Sequence, residues 1–76
     1  MPTLPSGKRT TWKKSEKYAT LTVDWAADPG QGNVSVTQRD ELTQTAEPPK
    51  IFAIKPKKDG ALANNTDQTI SYSLKK

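Results

Sequence analysis

Three short stretches of this chain alternate apolar and polar side chains at every second position, and clusters of proline, glycine and asparagine separate them. Ala19, Leu21, Val23 and Trp25 alternate with Thr20, Thr22 and Asp24; Val34 and Val36 alternate with Ser35 and Thr37; Ile70, Tyr72 and Leu74 alternate with Thr69, Ser71 and Ser73. Period two is the repeat of a half-buried strand, because successive side chains leave a pleated backbone on opposite faces. The β-branched and aromatic residues at these positions fit the same surface. No stretch carries the 3.6-residue repeat of a long helix, so the pattern predicts an all-β fold of short antiparallel strands.

The punctuation divides the rest. Asp28-Pro29-Gly30-Gln31-Gly32-Asn33 gathers a fixed φ and positive-φ residues into one reversal, and predicts an antiparallel hairpin over residues 18–38. Arg39 to Ala46 reads either as a short helical turn or as an exposed continuation of the strand, and Pro48-Pro49 ends it. Ile51-Phe52-Ala53-Ile54 is an apolar run that fits a strand buried on both faces or lying at an interface, with Pro56 confining its end to an edge or terminus. Lys57 to Gly60 reads as a turn and Asn64 to Asp67 as a polar loop, with Ala61-Leu62-Ala63 a brief element between them. Four to five short strands with no internal repeat predict a small antiparallel sandwich or open barrel.

Residues 1–17 look different. They hold Pro2, Pro5, Gly7 and five cations, with Leu4 and Trp12 as the only large apolar residues, and so predict an extended, flexible basic arm ahead of a β domain over residues 18–76. Within that domain the core candidates are Leu21, Val23, Trp25, Val34, Val36, Leu42, Ile51, Phe52, Ile54, Leu62, Ile70, Tyr72 and Leu74. Each stabilises by roughly 1.5–3 kcal/mol if fully buried, against ordering costs of about 1.5 kcal/mol per residue, which makes an isolated monomer marginal. With no cysteine in the chain, association is the expected remedy.

Charge falls into three blocks. Lys8, Arg9, Lys13, Lys14 and Lys17 stand against Glu16; Asp24, Asp28, Asp40, Glu41 and Glu47 stand against Arg39; Lys50, Lys55, Lys57, Lys58, Lys75 and Lys76 stand against Asp59 and Asp67. The balances are +4, −4 and +4, giving the net charge of +4. Segregated blocks suit a molecule that meets acidic surfaces, or neighbouring copies of itself, through its ends.

The same composition narrows the chemistry. Histidine is absent along with cysteine, which removes the commonest general base and the commonest metal ligands. No serine or threonine lies in a nucleophile-elbow context, and no pair of carboxylates is placed together by spacing. The Asn64-Asn65-Asp67 loop lacks the regular spacing of an EF-hand, and Asn33-Val34-Ser35 and Asn64-Asn65-Thr66 match the glycosylation pattern without a leader to give it meaning. The expectation is a protein without enzymatic activity, cofactor or metal. No apolar run reaches the length of a membrane span or signal segment, so no membrane partner and synthesis in a cytoplasm are expected.

Two groups of residues remain as candidate binding sites. Lys8, Arg9, Trp12, Lys13 and Lys14 set an aromatic among cations, the pairing that single-stranded nucleic acid binding uses for stacking and phosphate contact. The plainer reading, favoured because the arm has one aromatic and the chain only two arginines, is that Trp12 anchors the arm in a hydrophobic groove of its own sheet or a neighbour's. Ile51, Phe52 and Ile54 form the second group, an apolar strand whose flanking Lys50, Lys55, Lys57 and Lys58 read as edge gatekeepers before phosphate ligands.

No family motif is present. In composition the chain resembles small accessory proteins of phage particles, being short, cysteine-free and rich in Thr, Asn and Gln, and that resemblance implies a virion component such as a capsid decoration protein. The expected function is a structural or interaction module that docks on protein neighbours, as a homo-oligomer or part of a larger assembly, through the arm and the apolar strand. The alternatives are a small basic nucleic-acid-binding β-barrel, with Tyr18 stacking beside Trp12, and a small inhibitor of a host protein.

Overall fold

A computed structural model describes residues 2–76; residue 1, the first of the expected arm, lies outside it. Among the described residues the chain forms β1 (Thr3–Leu4), β2 (Arg9–Trp12), a single 3-10 turn (Lys14–Glu16), β3 (Thr20–Trp25), β4 (Val34–Gln38), β5 (Gln44–Ala46), β6 (Lys50–Ala53), β7 (Gly60–Asn64) and β8 (Ile70–Lys75). The strands make two four-stranded antiparallel sheets, ordered β1-β8-β3-β6 and β2-β7-β4-β5. The fold is the expected all-β antiparallel sandwich.

Its winding follows a simple rule. β4 pairs β5, β3 pairs β6, β2 pairs β7 and β1 pairs β8, so the chain is one long antiparallel ribbon with its bend between β4 and β5. That ribbon is rolled until β3 meets β8 and β4 meets β7, closing the two sheets over each other. Eight strands in this order are a jelly roll, a double-sheet fold made of two Greek keys.

The roll explains three departures from the sequence reading. First, the periodic segments at 20–25 and 34–38 do not pair as a hairpin but sit in opposite sheets. Their apolar faces, Leu21 and Val23 against Val34 and Val36, belong to one core, and the Asp28–Asn33 reversal carries the chain across it. Second, there are eight strands where four to five were expected, because β1, β2 and β5 contain too few apolar residues to show a period. Third, residues 3–12 are not an arm outside the fold. β1 pairs β8 with Leu4 opposite Ile70, and β2 pairs β7 from Arg9 opposite Ala63 to Trp12 opposite Gly60. Two apolar side chains suffice there because strands covered on one side need only their inward positions filled, and Leu4 and Trp12 are both buried. The cations of this segment, Lys8, Arg9, Lys13, Lys14 and Lys17, all stay exposed.

Ten apolar side chains form the buried core: Leu4, Trp12, Leu21, Val23, Val34, Val36, Phe52, Ile54, Leu62 and Ile70. Of the expected core residues, Trp25, Tyr72 and Leu74 pack against it half-buried, whereas Leu42 and Ile51 are exposed. Trp12 lies against Gly60 so closely that a Cβ there would overlap the indole ring, which is why β7 opens on glycine although its φ is not positive.

Each end of the core is closed by a buried amide. Gln38 Nε2 donates to the Lys55 carbonyl at 3.0 Å while its Oε1 accepts from the Lys55 N–H at 2.9 Å, clasping β4 to the β6–β7 loop. At the far end Asn64 Nδ2 donates to the carbonyls of Leu4 (2.9 Å) and Gln68 (2.8 Å), and its Oδ1 accepts from the Thr66 N–H and hydroxyl. With all four hydrogen-bonding positions used, the buried amide costs nothing in unmet desolvation and ties the β1–β2 and β7–β8 connections together.

Candidate functional site

The two closed ends of the sandwich carry opposite charge. At the Gln38 end lie the β2–β3 connection with Lys13, Lys14 and Lys17, the β4–β5 turn with Arg39, the β6–β7 loop with Lys55, Lys57 and Lys58, and the last residues Lys75 and Lys76. Against these nine cations stand Glu16, Asp40, Glu41 and Asp59, a side-chain balance of +5. Toward the Asn64 end lie Lys8, Arg9 and Lys50 against Asp24, Asp28, Glu47 and Asp67, a balance of −1. Three alternating blocks in sequence have become a two-pole molecule 33 Å long.

The basic pole has defined local structure. The Lys14 N–H donates to Asp59 Oδ1 at 2.7 Å and pins the 3-10 turn to the β6–β7 loop, the Lys13 N–H donates to Glu16 Oε1 at 3.0 Å within the turn, and both lysines stay exposed. Lys17 and Asp40 take left-handed backbone conformations (φ 56° and 61°) that turn the chain sharply on either side of the pole. Between these loops a cavity of about 100 Å³ is lined by Lys14, Arg39, Lys57 and Lys58 together with Asp40 and Asp59. Lys58 pairs with Glu41 at 3.0 Å and holds its carboxyl below the ordinary carboxylate value, first through the hydrogen bond and then through charge. Arg39 meets Asp40 at only 4.0 Å with both side chains exposed, a pair that contributes little. At the rim, Glu16 raises the Tyr18 phenol by a hydrogen bond and by its negative charge.

Such a surface attracts anions and steers an acidic partner toward one end of the molecule. Its loops form no group of three or more acidic or metal-ligating side chains among the described residues. No helix among the described residues is long and apolar enough to cross a membrane.

The sequence-predicted residues divide between this pole and the core. Lys13 and Lys14 belong to the pole, Lys8 lies in the β1–β2 connection at the opposite end, and Arg9 stands on the outer face of β2. Trp12, Phe52 and Ile54 are buried at 3%, 2% and 5% exposure, so none of them offers a ring or alkyl face to a partner. That burial corrects the stacking role considered for Trp12, which is a core residue of β2 and not the anchor of a separate arm. Ile51 and Ala53 of the apolar run face outward, on β6, because an edge strand of a two-sheet sandwich buries one face and not both.

Sequence reasoning missed Arg39, which the block pattern hid among carboxylates, and counted Leu42 among the core candidates although it is exposed. The signal for both was the β4–β5 reversal, where polar Asp40-Glu41 marks the tip of the ribbon. Comparison with protein-family models, with curated proteins and with solved structures finds no match to this chain.

Proposed function

We propose that this chain is a non-enzymatic structural module that docks by its basic pole onto an acidic surface of a protein neighbour, in the manner of a capsid decoration or accessory protein of a phage particle. The observation that carries the reading is the collection of nine of the twelve cations at one end of a rigid sandwich. Charge concentrated at one pole orients an approaching molecule and fixes which end makes contact. The jelly-roll topology supports the particle setting by analogy, since capsid proteins are among the hosts of that fold, which also serves lectins and cupins.

The test is fractionation of assembled particles from the source on a density gradient, with wild type beside a Lys14→Glu/Arg39→Glu double variant. Both side chains are exposed and outside the core, so the variant keeps its fold. Co-sedimentation of the wild type that survives nuclease and is lost in the double variant supports the reading. A chain that stays at the top of the gradient overturns it.

Binding to nucleic acid is the second reading, favoured by the same pole, whose lysines supply charge for phosphates without base selection. Burial of Trp12 removes its stacking ring. Release of the chain by nuclease, with affinity falling steeply in salt, is the outcome that selects it.

A further inference from the structure

The two flanks of the sandwich differ. Leu42 and Ile51, at 91% and 66% exposure the exposed large apolar side chains among the described residues, both lie on the flank bounded by edge strands β5 and β6. A groove of about 190 Å³ between those edges is lined by Val36, Leu42, Gln44 and Ala53 among others. The other flank, bounded by β1 and β2, turns Leu4 and Trp12 inward.

β6 also has backbone groups to offer. Ile54 N–H donates to the Ala19 carbonyl at 3.0 Å, and Phe52 stands opposite Leu21 two positions back. Antiparallel pairing alternates hydrogen-bonded and non-bonded residues, so Phe52 and Ile54 direct their N–H and C=O groups to β3, and Ile51 and Ala53 direct theirs away from the sheet.

We propose that β6 pairs antiparallel with β6 of a second copy about a two-fold axis, joining two four-stranded sheets into one continuous sheet. The outward groups fix the register. Ile51 of each copy stands opposite Ala53 of the other with Phe52 on the axis, and the side chains of Ile51 and Ala53 cover each other on the outer face. Pro49 and Pro56, which have no N–H, limit the pairing to this short strand.

Charge selects a second copy as the occupant. The two-fold lays the basic pole of one molecule beside the acidic pole of the other, so that Glu47, just ahead of β6 in one copy, falls at the same end of the paired strand as Lys55 and Lys57, just beyond β6 in the other, and offsets the neighbouring Lys50 on each side of the axis. This pairing does not depend on what the basic pole binds.

Sedimentation equilibrium of the full chain over about a hundred-fold range of concentration tests the proposal. The expected result is reversible monomer–dimer exchange, weakened at least about tenfold by Ile51→Lys, whose charge would lie in the new outer face. Glu47→Lys and Lys57→Glu each weaken the dimer, and the two together restore it. Circular dichroism and melting curves establish that each variant is folded. A wild-type chain that stays monomeric throughout overturns the proposal, as does a dimer indifferent to Ile51→Lys or a charge swap without rescue. A monomer that instead captures an extended peptide on β6 also overturns it.

Discussion

At the scale of single residues, a few polar and small side chains hold this protein together alongside its ten buried apolar ones. Asn64 uses both amide donors and its carbonyl oxygen on the buried Leu4 and Thr66 and on the Gln68 carbonyl, so Asn64→Ala strands several groups at once. The expected loss is about 3 kcal/mol in urea unfolding at constant m-value. Gly60 is required by volume and not by backbone angle: Gly60→Ala destabilises by about 1–3 kcal/mol through its overlap with Trp12, and costs much less when Trp12 is already alanine. A double-mutant cycle on the two positions reads that coupling directly. Glu41 gives a pH signature. Its folded carboxyl sits below the unfolded one, so its contribution is present above the unfolded pKa and is lost as pH falls through the lowered folded value. The loss is small because the pair is exposed to solvent, and Glu41→Gln removes that part of the acid limb.

At the scale of elements, the first dozen residues decide between two descriptions of the chain. If they formed a flexible arm, Trp12→Ala would leave stability unchanged. As β2 of a sandwich with its indole buried at 3% exposure, Trp12→Ala is expected to cost about 3–5 kcal/mol, measured by thermal or denaturant unfolding. The strands legible in sequence are β3, β4 and β8, by their alternation, and β6, by its apolar run. β1, with two residues, and β5, with three, present no period, and they are strands because a neighbour pairs with them. The missed hairpin has the same origin. Alternation reports which face of a strand is apolar, but two inward faces satisfy it equally well side by side or across a core. For the candidate site, Lys13 and Lys14 were readable from local charge. Their convergence with Arg39, Lys57 and Lys58 comes from the roll, which stacks three connections at one end.

At the scale of the whole molecule, the nested pairing governs how the fold is reached. The β4–β5 ladder closes a short loop, with Val36 opposite Gln44, whereas Val23 meets Lys50, Arg9 meets Ala63, and Thr3 meets Ser71. Each ladder outward from the bend encloses the one before it, so forming β4–β5 shortens the loop that β3–β6 must close, and so on to the chain ends. Folding dominated by such distant pairings falls in the millisecond-to-second range of all-β domains, and stopped-flow fluorescence of Trp12 and Trp25 is the natural probe. The order of ladders makes opposite predictions for two buried residues. Val36, beside the bend, has its contacts in place early, so Val36→Ala slows folding with little change in the unfolding rate. Leu4, in the last ladder to form, gains its contacts after the barrier, so Leu4→Ala leaves folding almost unchanged and speeds unfolding. Equal effects of both substitutions on the two chevron arms would show that the roll condenses all at once and not from its bend outward.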